Sequence, residues 1–216
     1  MTVESRISPN FSDEKYRTGS LDDLIDVFED RLRYWLLAPA KALLDVQFGE
    51  MAALGLLLGY FEPHAIYRKG VDSKGQSKAF FRAGFVEVFR NIPVSKSLLS
   101  RIADMLYEDG QCGLFHEGML RERIYVGNAA GELLVTLPRI DGKPDENGAI
   151  QSVVIDPHKF YIVVERHHTE YLRSVRDPSN TEIRENFKRA VDLRWCIDEP
   201  SRVIGMSEEE FLKSRA

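Results

Sequence analysis

The stretch from Pro39 to Phe61 constrains the fold more than any other. Its apolar residues Leu43, Leu44, Val46, Phe48, Met51, Leu54, Leu58 and Phe61 follow a helical pattern yet cover more than one face. A helix that is apolar on several sides predicts a central element of a bundle rather than a surface one. Pro39 fits the first turn of that helix. Upstream, Ser20 followed by Asp23 reads as an N-cap with an acid in the first turn. Leu21, Leu24, Ile25, Phe28, Leu32 and Trp35 then predict a first helix reaching Leu37.

Beyond the central helix, Pro63, Gly70, Asp72 and Gly75 predict a loop from Glu62 to Ser77. Helical spacing resumes with Ala79, Phe80, Phe81, Phe85, Val86, Val88 and Phe89, an aromatic cluster read as core, and Asn91-Ile92-Pro93 ends it. Leu98, Leu99, Ile102, Met105 and Leu106 predict a further amphipathic helix with Gly110 as its C-cap. From Arg123 the pattern changes to short β-branched runs, Ile124-Tyr125-Val126, Leu133 to Leu137 and Val153-Val154-Ile155, separated by turn residues. Asp156-Pro157 then starts a helix whose buried stripe is Phe160, Val164, His167, Tyr171 and Leu172, and Asp177-Pro178 stops it. Ser179 and Glu182 have capping-box spacing ahead of Ile183, Phe187, Ala190 and Val191. The expected architecture is a mainly α, helical bundle of five or six helices with a small antiparallel β insertion at 124–155. A single domain over 1–216 is expected, its helical core at 20–120 and 156–195, with 1–13 and 198–216 as peripheral tails.

A chain of 216 residues, 44% hydrophobic and 29% charged, is large enough for one good core and reads as globular rather than disordered. Its net charge of −5 gives no general attraction to nucleic acid. A local basic patch is left open by Arg121, Arg123, Arg166, Arg173, Arg176, Arg184, Lys188 and Arg189. Two cysteines, Cys112 and Cys196, are too few for a disulfide scaffold and fit a reducing compartment, with no bond expected between them. The polar segment Met1 to Asp13 has no secretory signal pattern, and Met51 to Phe61 is too short for a membrane span. A cytoplasmic protein without a membrane partner is expected.

The residues with the most chemistry form one run, Asp109-Gly110-Gln111-Cys112-Gly113-Leu114-Phe115-His116-Glu117-Gly118. A histidine can take or give a proton, and a nearby cation can stabilise charge on a phosphate. Gln111-x4-His116 followed by Arg121 and Arg123 offers both functions, although residues five apart on an ideal helix differ by about 140°. Gln111 and His116 therefore converge only if 110–113 is a turn; the plain structural alternative is a capping or partly buried His116. His167-His168 beside Glu165 and Glu170 reads as packing, because adjacent helical histidines point about 100° apart. Leu120 stands where H-E-x-x-H needs its second histidine, Cys112 reads as a buried thiol, and Gly127 and Gly131 fit hairpin turns. Tyr67-Arg68-Lys69-Gly70 and Lys74 read as a solvated loop, with an anionic ligand as the alternative. No metal and no cofactor is expected.

The run resembles the R-x4-6-H motif of HEPN domains, the helical "higher eukaryotes and prokaryotes nucleotide-binding" superfamily. It is similar to the form, met in uncharacterised bacterial proteins, in which arginine, cysteine, glycine, an apolar pair and histidine precede Glu-Gly. Cys112 to Gly118 match that form, and Gln111 stands in the arginine position. The resemblance implies metal-independent RNA cleavage in a composite site at a homodimer interface, with histidine as base on the ribose 2′-hydroxyl and arginine stabilising the phosphorane. His116 carries over as a catalytic residue. Arg121 and Arg123 are the candidates to replace the missing arginine, and Gln111 and Glu117 are the candidate substrate contacts. The function implied is an RNA-associated protein of a bacterial stress or defence type, a degenerate or weak endoribonuclease whose partners are RNA and a second copy. The alternative is a non-catalytic helical interaction or dimerisation protein.

Overall fold

The computed structural model describes residues 7–12, 15–16, 19–121, 123–195 and 207–214, and they form a mainly helical bundle with a small sheet. Helix α1, Leu21–Leu32, starts at the expected cap: Ser20 and Asp23 form a reciprocal capping box. It runs into a π-helical stretch, Arg33–Leu37, and then α2, Ala38–Leu44.

The expected central helix is broken. Asp45 closes α2, Phe48 takes a positive φ of 63° and is exposed, and α3 begins afresh as Glu50–Leu58. A Cβ at Gly49 would sit 2.0 Å from the Leu43 carbonyl oxygen, so the chain crosses back over α2 only because this residue is glycine. The central location does hold, since Ala53, Leu54, Leu57 and Leu58 of α3 are fully buried. The segment expected as a loop from Glu62 is mostly helix. Helix α4 spans Phe61–Lys69, with Pro63 in its first turn and Gly70 closing it in the left-handed conformation. Those two residues mark the ends of a helix rather than a loop.

Helix α5, Ser77–Val88, packs on α4 and brings Phe81, Phe85 and its C-cap Phe89 against Phe61, with Phe89 also against Phe160. Ring centroids are 5.2 Å apart for Phe61 and Phe85, edge to face, and 5.0 Å for Phe89 and Phe160, tilted. Helix α6, Lys96–Met105, buries the expected stripe of Leu98, Leu99, Ile102 and Met105. Helix α8, Pro157–Arg176, is capped by the Asp156 side chain, which accepts from the Lys159 N–H at 3.2 Å. Its first half joins the aromatic core. Tyr171, Leu172 and Val175 near its end pack with Leu24, Ile25 and Phe28 of α1 and with Phe187 and Val191 of α9, Thr181–Arg194. The Ser179–Glu182 box does not form: Asn180 is the N-cap of α9, and Ser179 instead donates to Asp177.

The strands β1, Ile124–Val126, β2, Leu133–Thr136, and β5, Ser152–Ile155, form a sheet in the order β1-β5-β2. The sheet is mixed rather than wholly antiparallel. β2 pairs antiparallel with β5, whereas β1 pairs parallel, with Ile124 opposite Val153 and Val126 opposite Ile155. The most buried strand, β5, takes the centre and buries Val153 and Ile155 before leading directly into α8. A two-residue pair, β3 at Arg139–Ile140 and β4 at Lys143–Pro144, forms the hairpin tip. Of the expected tails, Asn10 donates from its backbone and side chain to Asp30 of α1, and Glu208–Ser214 forms the short helix α10. Cys196 lies outside the described residues, as does any pairing with Cys112. Among the described residues, no helix is long and apolar enough to cross a membrane.

Candidate functional site

The expected turn at Gly110 is absent. Helix α6 continues as a π-helical segment, Leu106–Gln111, and then as α7, Cys112–Glu117. The Cys112 N–H reaches back to the Tyr107 carbonyl, five residues earlier. Gly110 is buried within this run, where a Cβ would meet Leu58 and Ile124 side chains at 3.3 and 3.4 Å. Gly118, at φ 74°, ends α7. Gln111 and His116 nevertheless line the same pocket, about 300 Å³ in volume, together with Tyr107, Cys112 and Phe115. His116 is exposed, and so are Phe115 at 66% and Met119 at 60%. Gln111 is half-buried; its Oε1 is sealed from solvent and accepts no hydrogen bond from the described residues. It also lines a larger neighbouring pocket of about 580 Å³ with Phe28, Arg31, Trp35, Tyr67 and Trp195.

The two arginines expected beside His116 are held elsewhere. After Gly118 the chain folds back, and the Arg121 N–H donates to the Asp109 carbonyl at 3.0 Å. The Arg123 guanidinium pairs with the buried Asp109 carboxylate at 2.9 Å, and Arg121 Nε donates to Glu117 Oε1 at 3.0 Å. The hydrogen bond from Arg121, ahead of its charge, holds the Glu117 carboxyl below its usual range. Glu117 is thus engaged by Arg121, and no hydrogen bond or ion pair among the described residues joins Arg121 or Arg123 to His116. The wider set of basic residues is also interleaved with acids. Arg176 pairs with Asp26 and Glu29, and Arg184 with Asp22, which divides the patch left open by composition. Arg68 binds Glu87, Lys69 lies over the Phe80 ring at 4.6 Å, and Tyr67 accepts from Trp195, so the basic stretch read as a solvated loop is a packed helix.

A second constellation was not visible in the sequence. His64 of α4, Glu87 of α5 and His167 of α8 meet inside the bundle, and one donor atom from each lies within 4.8 Å of the others. His64 Nε2 is 3.3 Å from Glu87 Oε2 but is not in hydrogen-bonding geometry with it. The rings of His64 and His167 lie edge to face, 4.4 Å apart. Tyr60 Oη contacts His167 Nδ1 at 3.0 Å, and Arg68 Nε donates to Glu87 Oε1 at 3.2 Å. Burial first, then the charge of His64, lowers His167 to about 3. Burial pushes Glu87 up, but the charges of His64 and Arg68 bring it down to about 2. His168 is buried beside Phe28 and Tyr60, and neither of its ring nitrogens has a partner among the described residues, in keeping with its reading as a packing residue. The signal for the cluster was His167 on an apolar stripe; its partner His64 lay in a segment read as loop.

No family model matches this chain, and neither a curated protein nor a solved structure does.

Proposed function

We propose that this chain is an RNA-associated protein of the HEPN-like type, acting as a homodimer through the face of α7, with metal-independent cleavage that is slow because its motif arginine is Gln111. The observation that carries the reading is the convergence of Gln111, Cys112, Phe115 and His116 on one exposed pocket. These are positions of the resembled motif, and they meet even though the expected turn is missing. A single imidazole can accept a proton from a ribose hydroxyl, but the leaving oxygen needs a second donor. A copy apposed through the exposed Phe115 and Met119 supplies that donor as its own His116. With Gln111 in place of a guanidinium and Arg121 and Arg123 committed to carboxylates, transition-state charge is poorly met. Loss of one such donor lowers a rate by about 10²–10³.

The test is RNA cleavage by purified protein in the presence of a chelator, with RNA binding and solution mass measured alongside. Slow cleavage that disappears in His116→Ala, from a dimeric protein that still binds RNA, is the expected result. The alternative, a dimerisation protein without RNA, is favoured by the ion pairs that neutralise Arg121 and Arg123. A dimer that neither binds nor cleaves RNA decides for it.

A further inference from the structure

We propose that His64, Glu87 and His167 form a binding site for a divalent transition metal of the zinc class, which joins α4, α5 and α8. Two imidazole nitrogens and one carboxylate oxygen make a donor set suited to such an ion. The separation of the first two donors fits as well. Metal–ligand bonds of about 2.0–2.1 Å at tetrahedral angles place neighbouring donors about 3.3 Å apart, and His64 Nε2 lies 3.3 Å from Glu87 Oε2. At that separation a hydrogen bond would be expected, yet Nε2 makes none among the described residues, and the His64 side chain is only 1% exposed. A sealed nitrogen that faces a carboxylate without bonding to it has the orientation of two ligands aimed at a common point.

The supporting groups agree with this assignment. Tyr60 Oη engages His167 at Nδ1, which leaves Nε2 as the ring nitrogen to serve as its ligand atom. Arg68 engages Glu87 at Oε1, which leaves Oε2 as a single donor on the His64 side. Each of these contacts fixes the orientation of a ligand, as outer partners of metal ligands do. His168, the neighbour in sequence, takes no part: its ring packs toward Phe28 instead. The site is separate from the His116 pocket, since no residue lines both, and it stands whether or not the chain acts on RNA.

The experiment uses tag-free full-length protein stripped with a chelator, then titrated with Zn²⁺ by calorimetry and with Co²⁺ by visible absorption. The expected result is one ion per chain, with the intense visible bands of low-coordinate Co²⁺ and a rise in melting temperature on Zn²⁺ addition. Glu87→Gln keeps the size of a half-exposed side chain, so its circular dichroism is expected to match the parent while its Zn²⁺ affinity falls more than about tenfold. His167→Gln is expected to lose the Co²⁺ bands. Failure of the parent to bind an ion stoichiometrically overturns the proposal. So does binding, with its thermal shift, that survives both substitutions, because the ion then sits on other histidines and the His64–Glu87 pair is an ordinary ion pair.

Discussion

Gln111 shows how one side chain sets what the pocket beside it can do. Its amide can donate hydrogen bonds but cannot neutralise a phosphate, and its buried Oε1 has no donor among the described residues. An arginine there would remove that unsatisfied acceptor and place a guanidinium beside His116, with two flanking pockets to receive the longer side chain. Under the proposed function, Gln111→Arg raises metal-independent RNA cleavage by about 10²-fold, read as single-turnover rate on a labelled RNA. Unchanged cleavage in a variant with parental circular dichroism would count against the assignment of His116 to catalysis. The motif was legible because its residues are contiguous. The fate of Arg121 and Arg123 was not, because Asp109 captures them only once the chain has folded back beyond Gly118.

At the scale of elements, the sequence revealed most where a side chain caps a helix. Ser20 with Asp23 and Asp156 with Pro157 mark starts that the structure reproduces. It revealed least where apolar residues run on through a break, as at Val46 and Phe48, because spacing alone cannot distinguish a continuous helix from two that cross. The π-helical stretch before α7 was hidden for a related reason, since one extra residue in a turn leaves the apolar pattern of α6 intact. The His64–Glu87–His167 cluster depends on how α4 and α5 pack, and that in turn depends on Gly84. A Cβ at Gly84 would lie 2.1 Å from the Phe61 carbonyl oxygen and 2.8 Å from its carbon, so α5 could approach α4 only by displacing backbone. Gly84→Ala is therefore expected to destabilise the fold by about 1–3 kcal/mol, measured by urea denaturation. An unchanged midpoint would mean that the two helices do not pack this closely.

For the whole molecule, α8 connects the two larger parts of the core, and its C-terminal end is tied electrostatically to α1. Arg176 donates to Asp26 at 2.7 Å and to Glu29 at 2.8 Å, while Lys15 and Arg33 hold the same carboxylates from their other sides. Partial burial pushes both carboxyls up, but these hydrogen bonds and charges outweigh it and keep them below their ordinary range. The sign of the linkage follows. A carboxyl whose folded-state pKa is depressed takes up its proton more readily when unfolded, so its contribution to stability is complete above the ordinary carboxylate range near pH 4 and is lost as pH falls through the folded value. Arg176→Ala should thus lower the melting temperature at neutral pH by an amount that shrinks as the solution is acidified below about pH 4, and that also shrinks in high salt because the network is partly exposed. Melting curves of both proteins from pH 7 downward test this. A difference that stays constant through the acid range would show that Arg176 stabilises the bundle by the packing of its aliphatic stem rather than by charge, and the tie between α8 and α1 would then be apolar at both ends of the core.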